Sequence, residues 1–108
     1  MDDVVAETKV DLNRECDQNL ILKLGKHCEE WKLVGKHLGL TQAEIIAVNG
    51  DYGSVDEKRI GMLEKWKNKF AFNATCRAFI EALLAHGKSA NAISAAKEMK
   101  ESEGMLQY

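Results

Sequence analysis

Apolar residues recur along this chain at spacings of three and four, the rhythm of helices that bury one side. Leu12, Cys16, Leu20, Leu24 and Cys28 step by four with Ile21 beside them, which predicts a first amphipathic helix beginning at Leu12. Trp31, Val34 and Leu38 line a second run, with Lys32, Lys36 and His37 off it, and Gly39 supplies a helix stop. Thr41 and Glu44 read as a T-x-x-E capping box, in which each residue's side chain satisfies an open amide of the other. A third helix therefore starts there and buries Ile45 and Val48. Asn49-Gly50-Asp51-Tyr52-Gly53 is turn chemistry, and Ser54 with Glu57 repeats the box ahead of a fourth stripe of Ile60, Leu63, Trp66 and Phe70. Asn73 reads as the N-cap of a fifth helix carrying Cys76, Phe79, Ile80, Leu83 and Leu84 and ending at Gly87. Ser89 opens a sixth, Ala-rich helix through about Lys100, with Ile93, Ala96 and Met99 as its apolar positions.

No period-2 pattern competes, so the expectation is an all-α fold, a six-helix antiparallel bundle with short connections. Its expected core is Leu20, Leu24, Trp31, Val34, Leu38, Ile45, Val48, Leu63, Trp66, Phe79, Ile80 and Leu83. Residues 1–10 read as a flexible lead-in, 11–102 as the folded domain and 103–108 as a fraying tail.

Composition narrows the class without changing that picture. A chain of 108 residues can build one real core but hardly two. Proline is absent, in keeping with helices joined at glycines. The three cysteines are widely spaced, with neither a C-x-x-C motif nor the density of a disulfide scaffold, so reduced thiols and a cytoplasmic location are expected. No apolar run approaches the roughly 20 residues that span a bilayer, and no membrane insertion is expected. The acidic N-terminus lacks the basic start and apolar centre of a signal peptide. A formal net charge of −2 gives no general attraction to nucleic acid.

Three constellations resemble reactive sites and fail on spacing. A calcium loop beginning at Asn49 places Ser54 where glycine is required and Ile60 where the bidentate glutamate is required. His27, Cys28 and His37, with or without Cys16, match no zinc spacing. Cys76 and His86 lie ten residues apart on one helix, about 15 Å along its axis, too far for a nucleophile and its base. The chain is therefore expected to be no enzyme and to hold no metal or cofactor. What stands out is charge layout. Residues 1–17 carry six acids against two bases, and the stretch from Lys58 to Lys69 carries five bases against Glu64. A second basic run is Lys23, Lys26, Lys32 and Lys36, while Glu44, Asp51, Asp56 and Glu57 form an acidic band. Separated faces of opposite sign can associate face to unlike face, in contacts that propagate rather than close as a two-fold dimer.

The string Trp31-Lys32-Leu33-Val34-Gly35-Lys36-His37-Leu38-Gly39-Leu40-Thr41, followed by Glu44-Ile45, resembles the second and third helices of the death-domain family. Met62-Leu63-Glu64-Lys65-Trp66-Lys67-Asn68, then Asn73-Ala74-Thr75, resembles its fourth and fifth, and Phe79, Ile80, Ala82, Leu83 and Gly87 continue the likeness. Within the family, Trp31 to Asn68 is most similar to the Fas-associated adaptor branch. The chain departs from the pattern at His27 and Cys28, where an apolar residue and glycine are common, and at Gly35, where alanine is commoner.

The resemblance implies a six-helix bundle of the death-domain type that assembles apoptotic or innate-immune signalling complexes through homotypic contacts. The partners it implies are other death-domain proteins, receptor or adaptor, and further copies of the chain itself. The alternative is a death-fold module used for intramolecular or structural docking within a larger protein. Contact residues carried over from the family are Lys32, Lys36, Glu44, Asp51, Lys58, Arg59, Lys65, Lys69, Lys88 and Asn91. Ile46 joins them on a different ground. It follows the buried Ile45 at a position the helical period turns partly outward, and it is either the edge of a wide core stripe or an apolar anchor for a partner.

Overall fold

The computed structural model describes residues 10–106, with side chains described through residue 103, so most of the expected lead-in and the end of the expected tail lie outside the described residues. Six α-helices follow in order: α1 (Gln18–Leu24), α2 (Trp31–His37), α3 (Gln42–Asp51), α4 (Val55–Phe70), α5 (Cys76–Ala85) and α6 (Ser89–Leu106). Short 3-10 turns at Gly25–His27 and Ala71–Asn73 follow α1 and α4.

The first helix begins later than the apolar rhythm predicts. Asp17 caps it, its carboxylate accepting from the Leu20 amide at 2.8 Å. Residues 12–16 stay outside it: 12 and 13 lie in a turn that Asp11 closes, 14–16 run beside the chain that enters α5, and Glu15 forms an isolated antiparallel bridge with Thr75. The reason lies at the start of α5, whose first amides have no partner inside the helix. Cys76 N–H donates to the Arg14 carbonyl and Arg77 N–H to the Leu12 carbonyl, both at 2.8 Å, while Cys16 N–H donates to the Ala74 carbonyl at 2.8 Å. Thr75 completes the cap, its hydroxyl accepting from Ala78 N–H at 3.3 Å. Asn73, expected in that role, lies in the preceding 3-10 turn.

The other end of the same segment fixes the last helix. The Arg14 guanidinium donates to the Met99 carbonyl at 3.3 Å and to the Ser102 hydroxyl at 2.9 Å, and Asp11 N–H donates to Glu103 at 3.1 Å. With these partners α6 continues past Lys100 to Leu106. Its buried side is Ala92, Ala95, Ala96 and Met99, with Ile93 only half-buried. Small side chains there let α6 lie close against α5 and α1.

The capping box at Thr41 is complete: Thr41 N–H donates to Glu44 Oε1 at 2.8 Å and Glu44 N–H to Thr41 Oγ1 at 3.2 Å. At Ser54 only half forms, since Glu57 N–H donates to Ser54 Oγ at 3.1 Å but the Glu57 carboxylate takes the Ser54 hydroxyl rather than its amide. Lys69 then ties α4 to α3, donating to Glu44 at 2.7 Å and to the Gly39 carbonyl at 3.1 Å. The hydrogen bond from Lys69, with that from the Thr41 backbone, holds the Glu44 carboxyl down at about 2. Gly39 takes φ 104°, open to glycine alone at little cost, and the Phe70 ring covers it.

Helix α4 runs through the middle and packs on α1, α2 and α3. Leu20, Leu24, Trp31, Val34, Leu38, Ile45, Val48, Leu63, Trp66, Phe79, Ile80 and Leu83 are all buried in one cluster, together with Cys16, Ile21, Cys28, Leu40, Met62 and Cys76. Trp66 sits at its centre, with its ring centroid 6.4 Å from that of Phe79. On the outer flank of α4 the Tyr52 ring lies flat against Gly61, where an added Cβ would fall 2.4 Å from Tyr52 Cε2.

Three outcomes follow from this packing. Trp66→Ala empties the centre and should lower unfolding free energy by about 3–5 kcal/mol in urea titrations, a large part of the roughly 5–15 kcal/mol typical of a domain. Gly61→Ala gains about 1 kcal/mol of helix propensity yet should destabilise, because the methyl displaces a rigid ring. In a Tyr52→Ala background the same change should stabilise, which a double-mutant cycle reads directly. For Glu44, the folded-state value is depressed from 4.5 to about 2, so its contribution is full above 4.5 and is lost as pH falls towards 2. Melting curves across that window should therefore fall less steeply for Glu44→Gln than for the wild type.

Candidate protein-interaction surface

The expected contact residues divide by whether the fold already engages them. Lys32 and Lys36 stand on the exposed side of α2 with Leu33, itself 40% exposed, between them in sequence. Lys32 Nζ lies 5.8 Å from the Trp31 ring centroid, and neither lysine forms an ion pair among the described residues. Ile46 is 61% exposed on the outer side of α3, while its neighbour Ile45 is 2% exposed. The structure thus removes Ile46 from the core stripe, and Ala43 and Ala47 extend the same outward face.

Asp51 and Lys65 share a groove of about 440 Å³ between α3 and α4, which Gln18, Tyr52, Glu64 and Lys67 also line. Gln18 Nε2 donates to Glu64 at 2.9 Å, and Lys67 pairs with Glu15 of the extended segment. Lys58 and Lys65 are half-buried and form no ion pair among the described residues.

Five of the expected residues are turned to internal work. Glu44 and Lys69 neutralise each other across α3 and α4. Arg59 donates to the Glu29 carbonyl at 3.4 Å, lies 3.6 Å from Asp56, and keeps its Nε buried without a hydrogen-bond partner. Asn91 donates its amide to the His27 carbonyl at 3.0 Å, fastening α6 to the turn after α1. Lys88, also half-buried, donates its backbone amide to Leu83 and accepts from Ala92 through its carbonyl, closing the α5–α6 turn.

Sequence reading missed the most exposed large apolar side chain among the described residues, Phe72, at 83%. It follows Ala71, whose φ of 50° reverses the chain at the end of α4. The only hint was negative: the apolar stripe closes at Phe70, leaving an aromatic two residues on with no place in the period. Leu22 and Val55 are exposed too, at 52% and 53%.

Burial pushes the Cys28 thiol up to about 12 and holds His27 below the usual imidazole range. His86 Nε2 lies 2.7 Å from the Glu30 carboxylate, joining the α5–α6 turn to the start of α2. Among the described residues, no group of three or more His, Cys, Asp or Glu is placed to hold a metal ion, and no helix is long and apolar enough to cross a membrane.

Comparison with known proteins accords with this arrangement. The death-domain family model matches residues 17–99, from the Asp17 cap of α1 to Met99 of α6, leaving out the extended segment before it. Neither the curated proteins nor the solved structures give a match. Death domains are non-catalytic protein-protein interaction modules that generally bind other death-fold proteins. With six helices in order, one shared core and a family match over most of its length, the chain belongs to the death-domain family.

Proposed function

We propose that this chain is a cytoplasmic docking module that builds apoptotic or innate-immune signalling complexes through homotypic death-domain contacts. The observation that carries the reading is Ile46, 61% exposed in mid-helix beside a buried Ile45. An exposed branched side chain flanked by Ala43 and Ala47 gives a partner an apolar anchor with little to clash against. Lys32 and Lys36 on α2 supply uncompensated positive charge, and Asp51 with Glu57 supplies exposed acid, so unlike faces of two bundles can steer each other into register. The likeness of Trp31 to Asn68 to the Fas-associated adaptor branch favours an adaptor role.

Size-exclusion with light scattering, on the chain alone and mixed with receptor or adaptor death domains, tests the proposal. Ile46→Asp should weaken association at least tenfold, and Lys36→Glu should weaken it most at low salt, both without shifting the thermal midpoint. Association unchanged in both variants, or a strict monomer that binds no death domain at any salt concentration, overturns it.

A further inference from the structure

Two interior groups take no part in docking. Cys16 closes the extended segment and Cys76 is the first residue of α5, and both are fully buried. Glu15 and Thr75 pair directly in the bridge, and the hydrogen bonds from Cys16 N–H to Ala74 and from Cys76 N–H to Arg14 fix the register on either side. Each cysteine follows a bridged residue, so both side chains lie on the face of the bridge opposite Glu15 and Thr75, as diagonal neighbours inside the core. Hydrogen bonding from Cys16 pulls the Cys76 thiol below its ordinary range, helped by the nearby Arg14 guanidinium, and pushes Cys16 far above it. The N-terminus of α5 adds a field of the same sign as Arg14. Cys28 stands apart, its thiol directed at the Leu24 carbonyl at 3.7 Å.

We propose that Cys16 and Cys76 form a dithiol modification site that a hydroperoxide oxidises to a disulfide, fastening the N-terminal segment to α5. The Cys76 thiolate attacks one peroxide oxygen, so that an S–O bond forms and the O–O bond breaks. The proton lost from Cys76 joins the departing oxygen as water, or as an alcohol from an organic peroxide. The Cys16 sulfur then attacks the Cys76 sulfenic acid: the S–S bond forms, the S–O bond breaks, and hydroxide leaves with the Cys16 proton as water. Two thiols lose two electrons and the peroxide gains them. Access comes from the segment itself, which lies outside the helices and is held by three backbone hydrogen bonds, the Arg14 contacts, Asp11 N–H on Glu103 and the Lys67–Glu15 pair, the kind of element that opens locally while the core stays closed. Once formed, the bond closes a loop of roughly sixty residues, which restricts the unfolded chain.

The test treats the full chain with hydrogen peroxide under native conditions and reads intact mass, alkylation and linked peptides. The expected product is lighter by about 2 Da, contains a Cys16–Cys76 linked peptide and melts about 10 °C higher until dithiothreitol reverses it. Of the three cysteines, Cys28 alone should remain open to alkylation after unfolding. Cys28→Ser should behave as wild type. Cys16→Ser should show no mass loss, and dimedone should trap its Cys76 as the sulfenic acid. Should Cys16→Ser fail to fold, the linked peptide in the wild type decides. Three alkylatable thiols after treatment, a link through Cys28, or a bond that forms only once the chain is unfolded would overturn the proposal.

Discussion

Burial of one face of α4 is the constraint on which everything else in this bundle depends. Met62, Leu63 and Trp66 are almost wholly withdrawn from water, and α1, α2 and α3 each pack on that helix. Large apolar side chains contribute roughly 1.5–3 kcal/mol each on burial, so this shared face outweighs any single hydrogen bond or ion pair at the surface. Trp66 also reaches Phe79 of α5 and so joins the two halves of the chain through one side chain. Close approach is bought at glycine: Gly35 and Gly61 leave no room for a Cβ where Ile45 and Tyr52 lie against α2 and α4.

A second demand, that buried backbone groups be paired, explains features that burial alone leaves open. The first amides of α5 need acceptors, and the carbonyls of Leu12 and Arg14 supply them. This keeps residues 12–16 out of α1 although their side chains keep a helical rhythm. The same segment carries Arg14 to the Met99 carbonyl, so one short strand serves both the start of α5 and the later turns of α6. It also places Cys16 and Cys76, far apart in sequence, on one face of the same bridge, a neighbourhood that exists only because the helix start required a partner.

At the surface, the structure separates charges that complete the fold from charges that close no contact within it. Glu44 with Lys69, and Arg59 with the Glu29 carbonyl, close joints between neighbouring elements. Lys32 and Lys36 close none among the described residues, and like Ile46 they stay exposed on the outer side of their helix.

The sequence by itself determined the number and order of the helices and the identity of their buried faces. Periodicity and capping are local signals: a stripe such as Leu63, Trp66 and Phe70, or the pair Thr41 and Glu44, specifies a helix with no knowledge of its neighbours. Tertiary structure alone decided whether residues 12–16 join α1, because the deciding groups belong to α5, some sixty residues away. It decided too that Thr75 and not Asn73 caps that helix, since the 3-10 turn at Ala71–Asn73 places Thr75 at the bridge. Charged positions were legible as exposed, but not which of them already hold partners, for Lys69 meets Glu44 and Asn91 meets the His27 carbonyl only after folding. Ile46 shows the limit most plainly: a helical period places it at the edge of the stripe, and only the packing of α3 on α4 turns it towards water.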